Sequence, residues 1–127
     1  MTRTTVLLLV AALVLGTTVA RAHHPLSDFR QGESRTIVGT VAEFLVRNPH
    51  SVVYVDVRGG DGATERWAAE WIAALQLKRQ GVTTLTLRPG DQVVITGLPP
   101  KDPESHRLWL RTLTRPADGW RWTGTFE

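Results

Sequence analysis

The chain has 127 residues, 42% of them hydrophobic, with five tryptophans, no cysteine and a formal net charge of +3. Without cysteine, disulfide bracing and thiol chemistry are both excluded, so packing must hold whatever folds. Arg3 and Arg21 lie in the first 22 residues, and the other 105 carry 13 basic and 12 acidic groups, a net of +1, which is no electrostatic footprint for a nucleic-acid partner.

Residues 1–22 read as a signal peptide. Arg3 supplies the positive start, Val6 to Leu15 the apolar centre, and Ala20-Arg21-Ala22 the small–x–small site that signal peptidase reads. A retained spanning helix needs about 20 apolar residues, whereas this run is shorter and diluted by Gly16, Thr17 and Thr18. The expectation is cleavage after Ala22, a periplasmic or secreted protein, and no stable membrane insertion afterwards. Residues 23–33, with Pro25 and Gly32, read as a polar N-terminal arm, and residues 34–127 as one domain of a size that suits a single core.

Short β-type segments then recur. Arg35–Arg47 is rich in branched residues, with Gly39 marking a bulge or sharp bend, and Asn48-Pro49 ends it. Ser51–Arg58 alternates, with Val53, Val55 and Val57 on one face and Tyr54 and Asp56 on the other. Gly59-Gly60-Asp61-Gly62 is a hairpin turn; it lacks the lysine and helix of a phosphate loop and the spaced carboxylates of a calcium loop. Glu65–Trp71 places Trp67, Ala69 and Trp71 on one face. Ile72–Gln80 has helical composition and ends at Gly81. Leu87-Arg88-Pro89-Gly90-Asp91 turns into a strand over Gln92–Gly97. Pro99, Pro100 and Pro103 keep the next loop out of a sheet interior. Arg107–Thr114 is a fifth strand and Trp120-Arg121-Trp122 a short tail strand.

The expected fold class is therefore mainly β: a small five-stranded OB-like barrel with one helix between strands 3 and 4, preceded by a signal peptide. Closure would hide the strand edges of so small a domain. The alternative is an open antiparallel sheet with one helix packed across it.

These segments carry a resemblance. Ala22-His23-His24, Gly39-Thr40-Val41, Asn48-Pro49-His50, Trp67-Ala68 with Glu70, and Leu87-Arg88-Pro89-Gly90-Asp91 closing near Gly97 occur in the order and at the spacing of one family. The chain resembles an uncharacterised family of exported bacterial proteins, a domain of unknown function numbered 6152. It departs from the family at Val46 and Val82, where tryptophans are usual. The resemblance implies export and a small β-rich domain, and it implies no reaction.

Two groups of residues could bind something. Cleavage after Ala22 would give His23 a free α-amine, which with its ring nitrogen forms a two-nitrogen clamp for a metal ion. A further histidine, from His24, His50 or His106, would complete a set suited to copper. The opposing reading is a solvated histidine tail. In an OB barrel the loop between strands 1 and 2 rims the ligand face, so Asn48, His50 and Tyr54 are the candidate contacts for a small ligand or peptide; against this, Asn48-Pro49 can simply enforce a turn. Trp67, Trp71 and Trp109 are expected in the core; Trp120 and Trp122 are the candidates for a binding surface, with a terminal strand that covers a barrel edge as the preferred reading. Enzyme motifs are missing: there is no Gly-x-Ser-x-Gly, no His-Glu-x-x-His and no nucleotide loop. Glu70, between two tryptophans, has no identifiable partner acid. The expected function is an exported, non-catalytic binding module for a small ligand or metal, the alternative a structural or partner-binding barrel without its own ligand; no motif names a protein partner.

Overall fold

A computed structural model describes residues 26–124. The signal-peptide segment, His23 and His24 lie outside them. In chain order the elements are β1 (Arg35–Leu45), β2 (Val52–Arg58), β3 (Thr64–Glu70), α1 (Ala74–Arg79), β4 (Gln92–Leu98), β5 (Arg107–Arg115) and β6 (Trp120–Thr123). β1 is long enough to serve two neighbours: Arg35 to Thr40 pair with β4, and Thr40 to Leu45 with β2. β2 continues antiparallel into β3, and β4 into β5. A short parallel pairing then joins β3 to β5, setting Ala68 opposite Arg107 and Glu70 opposite Trp109. Read round the ring the order is β1-β2-β3-β5-β4, a closed five-stranded barrel with a helix between β3 and β4, as expected of an OB-like fold.

The sharp turn of β1 depends on Gly39. A Cβ there would press on the carbonyl oxygen of Asp56 and lie 2.7 Å from Val55 Cγ1, so β2 crosses directly over a backbone with no side chain. The bulge itself falls two residues later, between Val41 and Glu43. Gly97 does the same for β5, since a Cβ there would run into the backbone of Trp109.

Strand alternation fills the barrel. Ile37, Val41, Val53, Val55, Trp67, Ala69, Val93, Ile95, Leu108, Leu110 and Leu113 all point inward and are buried. Trp71, Leu77 of α1, Val82 and Leu87 join the same cluster. α1 begins later than the composition indicates, because Ser51 still pairs with this strand: Trp71 N–H donates to Ser51 O and Ser51 N–H to Ile72 O. Those ladder bonds hold residues 71 and 72 extended. β6 runs beside the second half of β5, where β3 has ended, with Leu113 opposite Trp122. Trp122 is buried, meets Trp71 edge-on at 4.9 Å and donates its indole N–H to Gln80 Oε1 at 2.6 Å. Trp120 packs against the core from a partly buried position.

Two expectations are corrected. Trp109 is not in the core: Leu108 and Leu110 occupy the inward positions of β5, so alternation turns Trp109 onto the outer face. The arm before β1 is not wholly polar in its packing either. Phe29 is buried, bridges to Pro100, and meets the Trp109 ring at 6.0 Å.

Candidate functional site

The outer faces of β2, β3 and β5 carry a cavity of about 740 Å³. Its floor follows from pairing. Val52 and Tyr54 of β2 face Glu70 and Ala68 of β3, and Ala68 faces Arg107 of β5. The methyl side chain of Ala68 leaves a hollow between the large groups of Tyr54 and Arg107. Its rim is the β1–β2 loop, which contributes Arg47, Asn48, Pro49 and His50.

That loop is tied down by its own backbone. Ser51 is fully buried, and its hydroxyl accepts the Arg47 N–H at 3.2 Å and donates to the Arg47 carbonyl at 3.3 Å. The N–H of Ala74, at the start of α1, donates both to Arg47 O at 3.1 Å and to Asn48 Oδ1 at 3.2 Å. The Asn48–Pro49 peptide bond is cis. His50 stands edge-on to the Trp109 ring, with centroids 5.0 Å apart. Through the bonds at Arg47 and Asn48 the loop backbone is anchored rather than left as a free tip.

At the other wall, Arg107 donates from Nε to Glu70 Oε1 at 2.7 Å and from a terminal nitrogen to the same oxygen. Its guanidinium lies over the Phe29 ring at 5.2 Å and 3.8 Å from Asp28 Oδ2, so the N-terminal arm helps hold it. Glu70, which had no visible partner acid, has instead a basic partner. It is the one carboxylate among the lining residues.

The structure thus gathers Asn48, His50 and Tyr54 around one cavity. His106 is not among its lining residues: it stacks on Trp67 at 5.0 Å with Nε2 3.5 Å from Glu65 Oε2, while Arg35 lies over the same indole at 4.3 Å. Among the described residues no cluster of three histidine or acidic side chains could hold a metal ion. Sequence reasoning missed Arg47 and Arg107. The one available signal was that Arg107 opens a strand; what it faces depends on the parallel β3–β5 register.

Two further motifs find their places. Val46 and Val82, the two departures from the resembled family, line one groove of about 470 Å³ beside Ala74 and Leu75. The Leu87–Asp91 turn is a clamp. Asp91 Oδ2 accepts the Arg88 N–H at 2.9 Å and a guanidinium N–H of Arg115 at 3.1 Å, and Arg115 also binds Asp118 at 2.8 Å. The Arg115 guanidinium, and then the Trp120 N–H, hold the Asp118 carboxyl below its ordinary range.

No curated protein and no solved structure matches the chain. A family model matches residues 11–109, which takes in every residue lining the cavity and the Leu87–Asp91 turn. The chain belongs to that family, a family of unknown function (DUF6152).

Proposed function

We propose that the chain is an exported, non-catalytic binding module whose small ligand sits in the cavity on the β2–β3–β5 face. One observation carries this reading: Asn48, His50 and Tyr54 converge there with Arg47, Glu70 and Arg107, on the face and beside the loop that OB-like barrels use for ligands. Polar groups converging on a concave surface are the usual mark of a small-molecule site. Export rests on the charged start, the apolar run and Ala20-Arg21-Ala22. Mass spectrometry of the exported protein should find a chain beginning at His23, and an intact Met1 in a membrane fraction would overturn the export reading. Residue-resolved titration with small polar ligands should perturb the β1–β2 loop. A molecule whose loop answers to none of them is instead a structural or partner-binding barrel.

A second reading places copper at the processed N-terminus, held by the His23 amine and ring nitrogen with His50 as third ligand; His24 flanks the clamp and His106 is the alternative third ligand. It is favoured by the arm's anchor, since Phe29 and His50 touch the same Trp109 ring. Five residues lie between positions 23 and 29, and the six steps reach at most about 20 Å in an extended chain. Copper titration of processed protein should show binding that weakens as the imidazoles protonate. One extra residue before His23 should remove the amine from the clamp. Equal affinity with and without that residue would end this reading.

A further inference from the structure

The lining of this cavity is unbalanced between donors and acceptors. Its one carboxylate, Glu70, is already engaged by Arg107, and the two charges offset each other. What remains is rich in donors, with Glu70 Oε2 the carboxylate oxygen that Arg107 does not engage. Arg47 forms no ion pair among the described residues, although its backbone is fixed at both the N–H and the carbonyl. Asn48 commits its side-chain oxygen to the Ala74 N–H at 3.2 Å, which leaves its NH₂ group as the free end. The Tyr54 hydroxyl and the His50 ring nitrogens make no hydrogen bond among the described residues.

We infer that the cavity takes a small oxyanion, a carboxylate or phosphate group, with Arg47 as its charge partner and Asn48 and Tyr54 as neutral donors. The inference rests on the reading of this cavity as the ligand site and adds the ligand's chemical class. A planar guanidinium matches two oxygens of a carboxylate or phosphate at once, and bonds to an ionised acceptor are about twice as strong as neutral ones. An exposed arginine alone holds an anion weakly. Here the backbone of the loop that carries it is pinned to Ser51 and α1, so the guanidinium extends from a fixed anchor at the rim of the cavity.

The full chain, expressed and recovered after export, is titrated with acetate, inorganic phosphate and glucose while backbone amide signals are followed by NMR. Acetate or phosphate should shift Arg47, Asn48 and His50 saturably, and the tighter of the two identifies the class of oxyanion. Arg47→Gln should weaken this binding about tenfold or more, the size of one lost bond to a charged group. Arg47→Lys should retain part of it, and Arg58→Gln, remote at the end of β2, none of the loss. Circular dichroism verifies that each variant is folded. Saturable shifts from glucose with none from either anion would overturn the oxyanion class while leaving the cavity a binding site. Anion binding that Arg47→Gln does not weaken would also overturn it. Silence toward all three probes would count against both the class and the site.

Discussion

Glu70 and Arg107 lie 37 positions apart, yet each sets the other's conformation. The Glu70 side chain is only 17% exposed, so its charge needs the guanidinium. Arg107→Met should therefore destabilise the fold by about 1–3 kcal/mol, the range for an acceptor left without its donor. Urea denaturation measures this, and adding Glu70→Gln should restore part of the loss, with a coupling of about 0.5–3 kcal/mol between contacting residues. Asp118 is a second residue-scale case, with a definite sign. Its carboxyl is held below the ordinary value of 3.8, first by Arg115 and then by the Trp120 N–H. A group whose folded pKa is depressed stabilises fully above the unfolded value and loses that contribution as pH falls through the folded one. Thermal melts of the wild type and Asp118→Asn should differ at neutral pH and converge on acidification below the ordinary aspartate range. A difference that stays constant down to strong acid would remove this account of the Arg115 clamp.

Among the elements, β1 bears the most constraint, because one strand serves two neighbours and must bend between them. Gly39 sits at the crossing, where any side chain would meet the β2 backbone. Gly39→Ala should cost about 1–3 kcal/mol, as forced overpacking does, and amide exchange should quicken first in the pairing of β1 with β2. An unchanged denaturation midpoint would mean that β2 relaxes away freely. The β1–β2 loop inherits its position from this bend. It is held from below by Ser51 and from the side by α1, and this is why a short, turn-like stretch has an anchored backbone at Arg47 and Asn48.

At the scale of the whole molecule, a barrel this small survives without disulfides because closure pairs its strands and Trp67, Trp71 and Trp122 are buried in its core. β6 completes the arrangement by pairing with the part of β5 that β3 does not reach. Trp122 locks it down through Trp71 and Gln80. Trp122→Ala should cost about 3–5 kcal/mol, the range for large aromatic truncations in cores. Loss of β6 would expose the edge of β5, and exposed edges promote association, so size-exclusion chromatography should also show higher oligomers. A monomer of unchanged stability would reduce β6 to an ornament of the barrel.

Much of the barrel was legible in local pattern. The alternation of Val53, Val55 and Val57, the Gly59–Gly62 turn and the proline loop each depend on neighbours a few residues away, and strand and turn geometry are set at that range. The loop residues Asn48 and His50, with Tyr54 beside them, were marked as candidates through the expected OB-like order of strands, whose first loop rims the ligand face. The burial of Phe29, the outward turn of Trp109, the pairing of Glu70 with Arg107 and the cavity between Tyr54 and Arg107 were not legible. The turn of Trp109 follows from Leu108 and Leu110 taking the inward positions of β5, and the other three depend on the parallel register of β3 on β5 and on the arm that docks beside it. Register is chosen by the summed burial of a whole closed sheet, and a slip of one residue exchanges inside for outside. The sequence by itself therefore determined which segments are strands and which are turns, and only the tertiary structure decided which side chains meet.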